Sequence, residues 1–141
     1  MLNTILIDAG PLIALFDKDD FFHDHVKRFI RGRHFKFVTT NAVITEVAHI
    51  LNFSLQTQIN FFEWVLREGV LLNDIVQSDI ARIIELTRKY SDRPMDYADA
   101  TLVIAAEKTG IRQIISIDSD FDIYRLSEKR PIKNIFTPIP E

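Results

Sequence analysis

Short, almost continuous apolar runs punctuate the chain, separated by longer stretches in which apolar residues recur every three or four positions. The runs have the pattern of strands buried on both faces, and the longer stretches that of helices covering them. Residues 4–8, TILID, form the first run, which closes on a carboxylate, Asp8. Small residues and Pro11 follow at once, which suits a helix start over residues 11–16. A second helix is predicted over residues 20–31, where Phe22, Val26, Phe29 and Ile30 share one side and Lys27, Arg28 and Arg31 the other. Residues 35–38 read as a second strand. Thr39, Thr40 and Asn41 are helix-capping types, and Val43, Ile44, Val47, Ile50 and Leu51 behind them keep helical spacing. Helix continues over 55–67, with Gly69 as its stop. Residues 70–72 resemble a third strand, and Ser78 caps a helix reaching about Tyr90. Another helix spans 96–109 and is closed by Gly110. Residues 113–118, QIISID, are a fourth strand and 135–137 a short fifth, with Pro138 and Pro140 ending the pattern.

Strands alternating with helices of ten or more residues imply βαβ units and a mainly parallel sheet. Ligands of open α/β sheets sit at the carboxyl ends of the strands. Asp8 and Asp118 both stand at such an end, so one crevice can hold both.

Composition changes this picture little. At 141 residues the chain is most simply one domain over 1–141, long enough to bury a core without staples. It has no cysteine, which removes disulfides and thiolate metal sites and fits a cytoplasmic setting. No charged and apolar leader is evident, and no apolar run approaches the roughly 20 residues that span a bilayer. The net charge of −3 speaks against nucleic-acid binding by bulk charge, so any such contact is local. Two basic clusters are available, Lys27, Arg28, Arg31, Arg33 and Lys36, and Lys129, Arg130 and Lys133. For any one of these residues a solvated face remains the simpler reading.

Four acids lie on apolar elements rather than on polar faces: Asp8, Glu46 in VITEVAHIL, Asp99 in DYADATLVIAA and Asp118 in SIDSD. Each has an ordinary explanation. Asp8 and Asp118 suit caps and turns, and Glu46 suits an exposed helix position. Asp96 reads as an N-cap with Asp99 three residues on. Their shared placement, near a strand end or a helix start, is what points to chemistry. Two like charges about 4 Å apart repel by roughly 4 kcal/mol at an effective dielectric near 20. Converging acids therefore take up protons or bind a cation. Oxygen-only ligands favour Mg²⁺ or Mn²⁺ over zinc, and such a site suits metal-assisted phosphodiester hydrolysis.

Other motifs fail. DSDFD begins like a calcium loop, but Ile123 stands where that loop needs glycine and Lys129 where it needs glutamate. His23-Asp24-His25 has no second such pair. No P-loop, HExxH or GxGxxG is present.

The stretches IDAGPLIALFD, DDFFHDHVKRF, TTNAVITEVAHIL, MDYADATLVIAAEKTGI and IISIDSDF, in this order, resemble the PIN-domain family, and within it the small prokaryotic VapC-type toxins. The likeness covers most of the chain, to about Phe121. It implies a three-layer α/β/α sandwich with a mainly parallel central sheet and a metal-dependent endoribonuclease. It matches the family's four acids to Asp8, Glu46, Asp99 and Asp118, its accessory hydroxyl to Ser116, and a candidate accessory ligand to Asp120. By this carry-over Asp8, Asp99 and Asp118 hold Mg²⁺ or Mn²⁺, Glu46 orients the attacking water or helps hold a second ion, and Ser116 supports the cluster by hydrogen bonding. An RNA substrate, a small antitoxin partner and a homodimer are implied, the last through a face including Phe61, Phe62 and Trp64. A housekeeping RNA-processing nuclease would use the same residues. A non-catalytic regulatory protein of the same fold is the reading from another class, and retention of all four acids counts against it.

Overall fold

The first apolar run is fully buried: Ile5, Leu6 and Ile7 are each 0% exposed, as a strand covered on both faces requires. In the computed structural model, which describes residues 3–93 and 95–136, this run is the central strand of a five-stranded sheet. The strands are β1 (Asn3–Ile7), β2 (Phe35–Thr39), β3 (Val70–Leu72), β4 (Gln113–Ile115) and β5 (Lys133–Asn134). They run in the order β3-β2-β1-β4-β5, and every pairing is parallel. Six helices connect them: α1 (Ala9–Phe16), α2 (His23–Ile30), α3 (Asn41–Ile50), α4 (Leu55–Leu66), α5 (Ile80–Lys89) and α6 (Tyr97–Thr109).

The order places a switch in the middle. From β1 the chain steps outward through β2 to β3, then returns across the sheet to β4 on the other side of β1. Right-handed crossovers then put α1 to α4 on one face and α5 and α6 on the other, giving the three layers. Between β1 and β4 the direction reverses, and the carboxyl ends diverge into a crevice. β1 runs into Asp8, whose main-chain N–H bonds the Ile115 carbonyl (3.0 Å), so the crevice opens just beyond that bond.

Several boundaries differ from the sequence expectation for identifiable reasons. α2 begins at His23 rather than at residue 20, because Asp17 and Asp20 accept the N–H groups of Asp19 and Phe22 and hold that stretch in turns. Ser78 is not the cap of α5. A 3-10 turn, Gln77–Asp79, precedes the helix, and the Asp79 carboxylate takes the Val76 N–H (2.8 Å). β4 stops at Ile115, where the Asn134 amide takes over both main-chain groups of Ser116. β5 falls at 133–134 rather than 135–137; residues 137–141, with Pro138 and Pro140, lie outside the described residues.

Gly69 is needed, but not as the left-handed stop of α4. That conformation belongs to Glu68 (φ 65°). The Trp64 indole lies over Gly69, where a Cβ would come within 2.1 Å of it. Trp64 in turn packs edge-on against Phe16 of α1, at 5.3 Å between centroids. Close approach of the indole is therefore what fixes this glycine.

Candidate active site

Each acid is delivered to the carboxyl edge of the sheet by a different element. Asp8 follows β1 directly and is 6% exposed. It caps α1 through an Oδ1 bond from the Ala9 N–H (2.8 Å), and its Oδ2 accepts the Ser116 hydroxyl (3.0 Å). The cap and the cluster are thus the same side chain. Ser116 stands immediately after β4 and is wholly buried.

Asp99 lies in the first turn of α6 and is 7% exposed. Asp96 caps that helix through the Asp99 N–H (2.7 Å), as its position predicts. α6 is held at the right height by two threonines: Thr40, at the start of α3, and Thr101 share a buried hydroxyl bond of 2.8 Å. Thr39, the last residue of β2, donates to the Ile7 carbonyl of β1 (2.8 Å). Helices α3 and α6 are thereby pinned to the same sheet edge, which brings Glu46 of α3 toward the acids of α6. Glu46 and Asp118 remain exposed at the mouth, while Asp8 and Asp99 form the floor.

The electrostatics record this convergence. Burial pushes Asp8 up from 3.8 to about 7, and the charges of Asp118 and Glu46 add to it against the opposing bonds from Ala9 and Ser116. Burial pushes Asp99 up to about 8, reinforced by Asp8, Asp96 and Asp118. Glu46 is raised by partial desolvation and then by Asp96 and Asp118. Asp118 is raised by desolvation, Asp120 and Asp96, against a bond from the Asp120 N–H to its Oδ1 (3.0 Å). Asp8 thus lies close enough to feel the charges of Glu46 and Asp118, Asp99 those of Asp8 and Asp118, and Glu46 that of Asp118. Asp96 belongs with them electrostatically as well as being a cap, a role the capping pattern concealed.

Among the described residues no salt bridge reaches Asp8, Glu46, Asp99 or Asp118. Nor do any three of the described acids and histidines close into a ready-made cation cage. The donors at this edge are carboxylate and hydroxyl oxygens, a set that fits Mg²⁺ or Mn²⁺.

One contact was not anticipated. Tyr124, wholly buried in the segment after Asp118, donates its hydroxyl to Asp99 Oδ2 (2.9 Å). Burial and the adjoining Asp99 raise its phenol above the ordinary range, so it stays a donor. No local pattern marks it, since the two aromatics of FDIYRL, Phe121 and Tyr124, read equally well as core.

The last residue of the first basic cluster lies elsewhere. Lys36 pairs in register with Thr4, four residues before Asp8. At about 3.3 Å per residue that is roughly 13 Å from the acids, toward the opposite edge of the sheet. Lys133 pairs with Gln113, likewise at the start of β4.

The PIN domain family model matches residues 5–126, a span that holds all the acids of this cluster. The chain belongs to the PIN domain family. As a PIN domain it is similar in fold to a Mycobacterium tuberculosis toxin, VapC20, described as cleaving the sarcin-ricin loop. That likeness has a TM-score of 0.77 at 22% identity and covers 90% of this chain and 99% of the other. It is also similar to a chain of the Rickettsia felis VapBC2 complex bound to a promoter DNA fragment, with a TM-score of 0.59 at 9% identity over 84% and 91% of the two chains. No curated protein matches the chain.

Proposed function

We propose that this PIN domain is a divalent-metal-dependent endoribonuclease and the toxin of a type II toxin–antitoxin pair, acting as a single domain in the cytoplasm. The observation that carries the reading is the burial of Asp8 and Asp99 at one sheet switch point, where the Asp8 charge raises the proton affinity of Asp99 and, among the described residues, no lysine or arginine forms a salt bridge with either. Buried acids of raised proton affinity in one crevice mark a functional site, and a bound cation would relieve their repulsion.

Asp8, Asp99 and Asp118 are assigned as the residues that hold Mg²⁺ or Mn²⁺, with Asp120 as an accessory ligand. When bound, such an ion draws charge from the scissile phosphate and eases deprotonation of the attacking water. Glu46 is assigned to orient that water and take up its proton, a role its exposure at the mouth supports. Ser116 fixes the Asp8 carboxylate from behind. The substrate is RNA with an unpaired backbone, a single strand or a loop, because only there can a phosphate enter a crevice lined by acids. The loop-cleaving activity given for the M. tuberculosis neighbour supports that choice.

Protein partners are proposed from two exposed apolar stripes. Leu55, Ile59, Phe62 and Leu66 recur at helical spacing along α4, and Val76, Ile80 and Ile84 lead into and along α5. Two such faces suit a second copy of the chain and an antitoxin. Of the expected dimer residues only Phe62 is exposed; Phe61 is fully buried and Trp64 packs on the core.

The test is cleavage of a labelled RNA with Mg²⁺ or Mn²⁺, beside an EDTA control and the variants Asp8→Asn and Asp99→Asn. Loss of cutting in all three supports the assignment, and undiminished cutting by either variant removes it. Expression of the wild-type chain alone should arrest growth. Unimpeded growth counts against the toxin role while leaving the nuclease role standing.

A further inference from the structure

The acids of this site are held without being neutralised, and the means is hydroxyl groups. Ser116 secures Asp8 Oδ2 and Tyr124 secures Asp99 Oδ2. Each donor is itself wholly buried, so each is fixed by packing rather than by solvent. A lysine or arginine in either place would orient the carboxylate equally well. It would also cancel the charge that a metal ion needs and fill the position the ion takes. A neutral donor orients one oxygen and adds no opposing charge. In Asp99 this leaves Oδ1 without a hydrogen bond among the described residues, whereas Asp8 Oδ1 also takes the Ala9 N–H.

Tyr124 is unusually well supported for this task. Its ring stands edge-on to Tyr90 (centroids 5.0 Å, 66°) and to Phe121 (5.2 Å, 85°). The Tyr90 hydroxyl accepts the Arg125 N–H (2.8 Å), which ties the chain just after Tyr124 to the end of α5. The Tyr124 N–H bonds the Asp120 carbonyl (3.3 Å), closing the same turn that presents Asp118 and Asp120. One short segment, 118–125, therefore delivers an acid to the mouth and a hydroxyl to the floor. Ser116 does the corresponding work for Asp8, but it directly follows β4, so its place comes from the strand register. Tyr124 reaches Asp99 only through this tertiary packing.

We propose that Tyr124 is a positioning residue: its hydroxyl fixes the Asp99 carboxylate through Oδ2, so that Asp99 would be held ready for a divalent cation, and it makes metal affinity depend on the 118–125 segment. This rests on the nuclease reading, which assigns Asp99 as a ligand.

The test uses the full chain and Mn²⁺ as the probe, with the dissociation constant measured by calorimetry. Tyr124→Phe keeps the ring and removes the hydroxyl, and should weaken Mn²⁺ binding by about 10- to 100-fold. Tyr90→Phe removes a hydroxyl that reaches the 118–125 segment but not Asp99, and should weaken Mn²⁺ binding clearly less than Tyr124→Phe does. If both variants weaken binding alike, or Tyr124→Phe leaves it unchanged, Tyr124 is merely structural and the proposal falls. Should Tyr124→Phe not fold, the wild type answers alone. With ¹³C-labelled tyrosine, the Tyr124 ζ-carbon resonance should move on Mg²⁺ titration while that of Tyr90 stays still, and a motionless Tyr124 resonance overturns the idea. Failure of the nuclease reading looks different: Asp99→Asn would bind Mn²⁺ as the wild type does.

Discussion

Replacing Asp8 by asparagine should make the metal-free protein more stable while abolishing cleavage. The asparagine side chain can keep both local bonds: its carbonyl oxygen accepts the Ala9 N–H, and its amide donates to the Ser116 hydroxyl once that rotor turns. What the substitution removes is a charge buried among other charges. The folded-state value of Asp8 is about 7 against 3.8 for the free side chain. Because the folded value is raised, the protonated form favours folding. That contribution is complete below pH 3.8 and is lost as pH rises through about 7. At about 1.4 kcal/mol per pH unit, the cost of the charge reaches an upper bound of roughly 4 kcal/mol above pH 7. Structural relaxation and entry of water reduce it, so a gain of about 2–4 kcal/mol is expected for Asp8→Asn at pH 8. At about 3 °C per kcal/mol for a chain of this size, that is a rise of roughly 6–12 °C in Tm. Near pH 4 the two proteins should differ little. Thermal unfolding in EDTA at pH 4, 6 and 8 measures this. A wild type as stable as Asp8→Asn at pH 8, or a gap that does not widen with pH, refutes the claim that Asp8 carries a buried, repelled charge.

Mn²⁺ should raise the wild-type Tm more at pH 8 than at pH 5.5, since Asp8 and Asp99 lose their protons only around pH 7 to 8 and an ion must displace what remains; equal shifts at both pH values would contradict their role as ligands. Gly69→Ala forces a Cβ into the Trp64 indole and should cost about 1–3 kcal/mol in urea unfolding, although Gly69 touches no acid. Placing aspartate at Phe62 and Leu66 should abolish self-association or antitoxin capture in sedimentation and co-purification while RNA cutting by the free chain persists. Reversal of Arg33 and Lys36 to glutamate should leave the turnover number unchanged, because Lys36 pairs with Thr4 and the neighbouring His34 bonds Asn3, toward the edge of the sheet away from the acids.

The end of β1 and the acid that follows it were legible in the sequence, and so was the cap Asp96 with its closing Gly110, which adopts φ 81°, whereas β4 ended three residues before Asp118. These are local effects: apolar continuity, capping hydrogen bonds and left-handed stops act within a few residues. The misplaced boundaries were local too, but there two local signals competed. At the start of α2 the carboxylates of Asp17 and Asp20 prevailed over the helix, and before α5 Asp79 rather than Ser78 took the free N–H group. Gly69 was noticed for its conformational freedom, whereas its reason is an indole five residues earlier folded back over it.

The sequence by itself determined the alternation of strand and helix, written in the spacing of apolar residues, and carried the motif stretches by which the chain resembles its family. Only the tertiary structure decided that Asp96 lies near the other acids besides capping α6, that Tyr124 holds Asp99, and that Lys36 lies away from them. Those facts depend on which strand lies beside which and on where a buried ring comes to rest. Strand order and ring packing are set by the whole core minimising exposed apolar surface, so no short window of sequence contains them.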